Sequence, residues 1–526
     1  MIVPRLGAET RLSVEYRDDT PFGAPMTPQL ETNLRSVYRT VLQAVERHGP
    51  VDVVRHAPEL LQEVRAQEGY LRLLDGRTLR HQVLYPDTDL VRPSALTFAK
   101  ERAYSELRLE FHPGLLPVLH DVVAALSGDG GGLLECMPPD IKGVYDTVLR
   151  ELEQRDMLVR VPEREKVDRS VRRQGDATFV GHNTVVVRSD TTQVVIDPWF
   201  LPTAGHYPVD YQPMSRREIG PVDAVLITHS HPDHFDLGSL LQFGSHVKVF
   251  VPYVERESLL SIDMALRLRQ LGFHDVRQMH WWQSERIGDI EITALPFYGE
   301  QPTTSEQLCP EVTNVGNVYL CRTARFSCAV LADSGRDRRG DVREVAREAH
   351  RRWGPIDVLF AGYRGWSLYP VQYLSSSVRR YLLFVPPDQY DVRQTIMNST
   401  AEAVDTAENW HARYLVPYAD GGAPWYWEAG LGPALDTDGR ELQESVYFDP
   451  FPERCLEELR VRSAPSPDTT VGSPVAPLLL RPGQSVHLRN GMAGVIESAR
   501  HRWPWDAIFP TRPGQPDPRK ASAPIL

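Results

Sequence analysis

Six consecutive residues, His229-Ser230-His231-Pro232-Asp233-His234, offer four metal-ligating side chains directly after the apolar run Ala224-Val225-Leu226-Ile227-Thr228. Imidazole nitrogens and a carboxylate together suit divalent first-row metals. Side chains alternate along an extended stretch, so His229 and His231 share one side and can bind one metal. Once Pro232 turns the chain, Asp233 and His234 face a second position. The expectation is a pair of metal ions at the carboxyl end of a strand; the competing reading is a solvated, histidine-rich turn.

Such a loop needs a rigid frame. From about Asp176, short β-branched runs alternate with loops and helical spacing: 184–188, 193–197, 224–228, 247–251, 290–296, 318–321, 328–333, 357–361 and 414–417 read as strands, 254–271 and 341–352 as helices. This pattern predicts an α/β domain of two sheets with helices outside them over residues 171–430. Before it, Pro28–Gly49, Ala57–Gln67 and Ile141–Met157 carry three- and four-residue apolar spacing, and the last is followed by the apolar Leu158-Val159-Arg160-Val161. Residues 1–170 are therefore expected to form a mostly helical domain for packing, dimerisation (a homodimer) or partner binding. Residues 431–526 are Pro-rich and read as a partly ordered extension with one hairpin-like piece at 478–491.

Composition bounds the partners. The 526 residues carry 70 acidic and 58 basic side chains, a formal net charge of −12, which argues against a protein that holds nucleic acid by bulk charge. No apolar run reaches the roughly 18 residues that a membrane helix needs, and the N-terminus lacks a signal-peptide core. The expectation is a soluble, cytoplasmic protein with no membrane partner. Cys136, Cys309, Cys321, Cys328 and Cys455 show no CxxC spacing, so neither a disulfide framework nor a zinc knuckle is expected. Cys309, Cys321 and Cys328 read as small core residues.

The HxHxDH loop after a strand resembles the metallo-β-lactamase superfamily, over roughly residues 176–420. Gly181-His182-Asn183-Thr184, the run ending Ile196-Asp197-Pro198-Trp199-Phe200, and Leu331-Ala332-Asp333-Ser334-Gly335 extend the resemblance. It implies a fold class of α/β, a metallo-β-lactamase αββα sandwich. It also implies that Asp197 organises the metal loop and that Asp333 bridges the metals; His182 reads as a hydrogen-bonded structural histidine, the alternative being a residue near the site. Two departures stand out. Where a third-motif histidine normally follows a strand like 290–296, the chain reads Pro296-Phe297-Tyr298-Gly299-Glu300, leaving Glu300 as the nearest ligand. Where a final histidine normally follows a strand like 414–417, it reads Pro417-Tyr418-Ala419-Asp420-Gly421, with Asp420 the weaker candidate and Tyr418 weaker still.

The implied ligand set is His229, His231, Asp233, His234, Glu300 and Asp333, and the carboxylates of Asp233, Glu300 and Asp333 are the expected catalytic groups. Three imidazoles with three carboxylates make an oxygen-rich shell, which favours iron or manganese over zinc. Within the superfamily, the glutamate-for-histidine replacement resembles the di-iron β-hydroxylase of chloramphenicol biosynthesis, which acts on an amino acid tethered to a carrier protein. That resemblance implies His229, His231 and Glu300 at one iron, Asp233 and His234 at the other, and Asp333 between them.

The leading expectation is a non-haem di-iron monooxygenase with two Fe ions, O2 as co-substrate, a small or carrier-protein-tethered substrate, and an external electron donor, since no flavin or Fe–S motif is present. The alternatives are a dinuclear zinc or manganese hydrolase of an ester, lactone, thioester or phosphodiester, and a non-catalytic binding module. Tyr298, Tyr363, Arg364, Trp366, Tyr418 and Trp425 are the candidate substrate wall, with core packing as the competing role of the aromatics.

Overall fold

Alternation along a strand sends successive side chains to opposite faces, so strands with both faces apolar must be covered twice. That is the arrangement found. The structure, a computed structural model, describes residues 2–7, 9–16, 39–41, 43–44, 46–48, 56–68, 74–75, 78–85, 92–100, 104–128, 139–162, 176–200, 214–301, 309, 311–363, 367–368, 381, 384–385, 392, 394–395, 397–419, 459, 461–462, 475–480, 483–489 and 492–496.

Two sheets face each other. The first has the order Asp275–Met279, Lys248–Pro252, Ala224–Leu226, Gln193–Ile196, Thr184–Arg188, Ala177–Gly181, Ser485–Arg489, Met492–Ile496. Its first four strands are parallel and the rest pair antiparallel. The second has the order Ser284–Ile287, Ile290–Pro296, Asn317–Arg322, Ser327–Val330, Val358–Gly362, Tyr414–Tyr418, Ala476–Pro477. Inward residues such as Val185, Val194, Ile196, Leu226 and Phe250 meet Ile292, Tyr319, Val330, Phe360 and Val416 in the central core. Outward residues of the second sheet, among them Leu320, Ala329, Leu359 and Leu415, pack with Val345 and Ala349 of helix Val342–Trp353 and Ala403 and Ala407 of helix Thr400–Asn409. The outer face of the first sheet (Val186, Val195, Val225, Val249) is covered by Leu240, Leu268 and the N-terminal region. The result is an αββα sandwich.

Nine runs expected as strands coincide with strands. The helix expected over 254–271 is confined to Met264–Gln270, started by Asp263, whose side chain accepts from Leu266 N. Two expectations need correction. The N-terminal region is mixed rather than mostly helical: Arg11–Tyr16, Pro93–Lys100 and Ser105–Glu110 form a three-stranded antiparallel sheet, and Ile2–Leu6 pairs with Leu158–Pro162. Buried Leu96 and Phe98 hold this sheet on the helix Leu116–Ser127 and on the outer face of the first sheet. The expected helices at 57–67 and 141–157 are present as Ala57–Arg65 and Pro139–Gln154, and the one over 28–49 lies largely outside the described residues, those described between 39 and 48 being helical.

The second correction is the boundary at 430. Ala476–Pro477 and the hairpin 485–496 hydrogen-bond into both sheets, so part of the supposed extension is sheet. The hairpin-like piece expected at 478–491 is displaced to Ser485–Arg489 and Met492–Ile496, and Ala476–Pro477 is the short strand that the Pro-rich surroundings hid.

The N-terminal region is not loosely tethered. Buried His120 places Nδ1 3.1 Å from Leu271 O and Nε2 2.7 Å from Phe243 O. A Cβ at Gly238 would lie 1.8 Å from Leu12 O, so only glycine admits so close a backbone approach. Among the described residues, no helix is long and apolar enough to cross a membrane.

Candidate metal centre

The strand Ala224–Leu226 delivers Thr228 and then the histidine loop to the carboxyl end of the first sheet. His229 pairs as an isolated bridge with Gly316, and Asn317 N donates to Thr228 O at 2.8 Å, which stitches the loop to the second sheet. A Cβ at Gly316 would meet the Phe297 ring at 2.7 Å, and that ring packs 4.9 Å from His229. The chain then turns sharply: His234 N and Phe235 N both donate to His231 O, at 3.0 and 2.7 Å.

Asp197, at the end of Gln193–Ile196, is fully buried and accepts from Thr228 N (2.7 Å), Thr228 Oγ1 (2.5 Å) and His234 Nδ1 (2.7 Å). His234 therefore turns its Nε2 inward, 3.3 Å from Asp333 Oδ2 and 3.7 Å from Asp233 Oδ2. His182 Nε2 lies 2.9 Å from Asp233 Oδ2, and Asn183 Nδ2 donates to Asp233 O.

Glu300 arrives from the second sheet, two residues beyond Tyr298. Its φ of 54° is left-handed, as is that of Ala332 (51°) just before Asp333. Non-glycine residues hold such angles where surrounding contacts over-determine them. Those contacts are present. Ser334 Oγ accepts from Tyr298 N (3.1 Å) and donates to Tyr298 O (3.2 Å), while Gly335 N donates to the same carbonyl at 2.6 Å. Ala332 N donates to Tyr418 Oη at 2.8 Å, and Asn398 Nδ2 to Ser334 O at 2.8 Å. The loops carrying Glu300 and Asp333 thus hold each other.

Two overlapping sets result. Ligand atoms of His229, His231, Glu300 and Asp333 lie within 4.8 Å of one another, as do those of Asp233, His234 and Asp333. Asp333 belongs to both. His231 Nδ1 is 3.0 Å from Glu300 Oε2, and His229 Nε2 is 4.0 Å from Asp333 Oδ2.

The electrostatics are those of a buried anionic cage. Burial, and then the neighbouring His234 and His231, hold His229 well below the usual imidazole range. For His234 burial also opposes charge, but Asp333, Asp233 and Asp197 outweigh it and hold its imidazolium well above that range. Burial pushes the Glu300 carboxyl up against the pull of His231. A metal fits this chemistry on two further observations. Among the described residues, the buried Nε2 atoms of His229 and His234 find no hydrogen-bond partner, which is costly for an imidazole nitrogen not serving as a ligand. Three carboxylates crowded into a largely buried cage, Glu300 wholly inside it, also call for a cation.

The remaining expected residues fall elsewhere. Tyr363 is fully buried in the outer core of the second sheet, and Tyr418 in the central core, so both are packing residues rather than pocket wall. Among the described residues, Tyr418 serves the centre through Ala332. Tyr298 is half-buried, with its ring against Trp281. Arg364, Trp366, Asp420 and Trp425 lie outside the described residues. Sequence reasoning missed Thr228, Ser334 and Tyr381, whose hydroxyl sits 3.0 Å from His231 Nε2. The position of Thr228 next to the first histidine was a usable signal; Tyr381 gave none.

An αββα sandwich with a histidine-aspartate loop at the carboxyl end of its parallel strands defines a metallo-β-lactamase fold, and residues 192–418 match the Beta-lactamase superfamily domain. Among curated proteins the chain is similar to the 4-amino-L-phenylalanyl-CmlP-peptidyl-carrier-protein 3-hydroxylase of Streptomyces venezuelae, 32% identical over 189 residues, which is 35% of this chain and 33% of that one. It is also similar to a metal-dependent hydrolase of Koribacter versatilis, 29% identical over 118 residues, 22% of this chain and 44% of that one. The matched segments span less than half the length of these two relatives. Among solved structures, CmlA, a diiron beta-hydroxylase from Streptomyces venezuelae, shares the fold with a TM-score of 0.53 at 16% identity, over 80% of this chain and 91% of that one.

Proposed function

We propose that the chain is a non-haem di-iron oxygenase that hydroxylates or otherwise oxidises a small substrate, with an amino acid on a carrier protein as the substrate class. The observation that carries this reading is Glu300: a carboxylate stands 3.0 Å from His231 and within 4.8 Å of the ligand atoms of His229 and Asp333. It makes the centre richer in oxygen donors than an all-imidazole shell, and so better suited to iron than to zinc. The similarity to a 3-hydroxylase of a carrier-bound amino acid supports it.

His229, His231 and Glu300 would hold one iron, Asp233 and His234 the other, and Asp333 both. When bound, the iron pair supplies dioxygen binding and reduction, with electrons from an external donor. The chain's own residues do the rest. Asp197 fixes the His234 ring, and His182 steadies Asp233. Burial of His229, His231, His234 and Glu300 keeps bulk water from the histidine side. Asp233 and Asp333 are the ligands that reach solvent, with side chains 22% and 12% exposed, so substrate approaches along them.

The test is metal content followed by a single turnover. Protein from iron-supplemented cells is expected to hold two irons and, once reduced, to consume dioxygen stoichiometrically. Glu300→Ala is expected to lower iron occupancy and abolish that uptake. The competing reading, a zinc or manganese hydrolase, rests on the similarity to a metal-dependent hydrolase. Stoichiometric zinc that iron cannot displace, with hydrolysis indifferent to oxygen, would establish it instead.

A further inference from the structure

The proposed ligands are supported from three directions, and one of these is remote in sequence. Asp197 supports His234 and His182 supports Asp233, both from the first sheet. His231 has neither. Its ring is buried, with Nδ1 facing Glu300 Oε2 at 3.0 Å and Nε2 facing the hydroxyl of Tyr381 at 3.0 Å. Tyr381 is itself buried, 2% exposed, and comes from the stretch between strand Val358–Gly362 and helix Thr400–Asn409. The same stretch supplies Asn398, which holds the carbonyl of Ser334 beside Asp333.

We infer that Tyr381 is a positioning residue for the metal centre: its hydroxyl accepts from His231 Nε2–H and so holds the ring with Nδ1 turned toward Glu300. This rests on the reading of His231 as a metal ligand.

A neutral imidazole carries one N–H, so a ring that ligates through Nδ1 must carry its proton on Nε2. That N–H is buried, and a buried donor needs an acceptor. Tyr381 Oη stands at the right distance. A tyrosine hydroxyl suits the place because it can also rotate and donate. Before a metal arrives, Nδ1–H can serve the Glu300 carboxylate while Tyr381 O–H serves Nε2, and neither state leaves a buried nitrogen unpaired. Phenylalanine offers neither bond. Tyr381 and Asn398 belong to one stretch, so it reaches the first set at His231 and the shared Asp333 through the Ser334 carbonyl.

The experiment uses the full chain with zinc, so it depends on neither iron nor oxygen. In 15N-histidine spectra of the zinc-loaded wild type, His231 is expected as the Nε2–H tautomer; a Nδ1–H signal overturns the inference. Tyr381→Phe, which keeps the ring, is expected to move the His231 Nε2 resonance and to weaken zinc binding about tenfold or more, as loss of a ligand's hydrogen-bond partner does. A folded Tyr381→Phe protein with an unmoved resonance and wild-type zinc affinity refutes it, whatever the iron and dioxygen measurements give. Failure of those measurements alone leaves the Tyr381 assignment standing.

Discussion

Asp197→Asn isolates the part of the centre that sets ligand orientation. Asp197 accepts three bonds, two from Thr228 and one from His234 Nδ1. Asparagine keeps the volume, and its carbonyl can retain Thr228 N–H. Its amide nitrogen must then take the place of Oδ2 and donate toward His234 Nδ1. That demands the lone pair on Nδ1 and moves the ring proton to Nε2, the atom 3.3 Å from Asp333 that a metal needs bare.

The lost bond is to a charged acceptor, about 1.5–3 kcal/mol. This corresponds to roughly a 10- to 100-fold loss of metal affinity. The loss should be one-sided. A chelator-competition titration is expected to release the metal of Asp233 and His234 early, while that of His229, His231 and Glu300 stays. The metal-free fold also contains the Asp197–His234 bond and loses it in the variant, so metal affinity is read on protein shown to be folded. A folded variant that holds two metals with wild-type affinity would show that Asp197 does not set the His234 tautomer.

Two further outcomes concern stability. Gly316→Ala places a Cβ 2.7 Å from the Phe297 ring, an overpacking expected to cost about 1–3 kcal/mol in denaturant unfolding and to press that ring on His229; an unchanged midpoint would mean that Phe297 has room to move. Asp341 caps the helix Val342–Trp353 by accepting from Arg343 N at 2.8 Å, so Asp341→Ala should cost about 1 kcal/mol at neutral pH. Burial opposes ionisation of Asp341, but its bonds and attraction to Arg343 hold the carboxyl below its ordinary 3.8. The stabilisation is therefore present above that value and fades as pH falls through the lower folded one. Urea curves of wild type and variant should converge in acid, and a gap that persists or widens there refutes the account.

What the sequence made legible follows from where periodicity carries information. The β-branched runs announced their strands because both faces of each sheet are covered. The histidine loop announced itself because four ligands follow one such run, and Glu300 because of its place after another. The same double covering made Tyr363 and Tyr418 unreadable: an aromatic at the end of a strand apolar on both sides packs inward or lines a pocket with the same local pattern. Pro93–Lys100 begins with proline and ends with a charge, so its strand did not stand out. Tyr381 is 150 residues from His231, and nothing local marks it.

The hairpin at 485–496 ties the timing of folding to its own synthesis. Ser485 pairs with Thr178 across 307 residues, the hydroxyls 2.6 Å apart, and Gly483 N donates to Phe179 O at 2.7 Å. Ala177–Gly181 leads straight into His182, the partner of Asp233. As the chain emerges from the ribosome, this strand keeps an open edge until the hairpin is made. Contacts of such separation form slowly and leave apolar edges open to wrong partners meanwhile. The strand that leads into His182 thus has one edge closed early by its neighbour Thr184–Arg188 and the other only when the distant hairpin has been made.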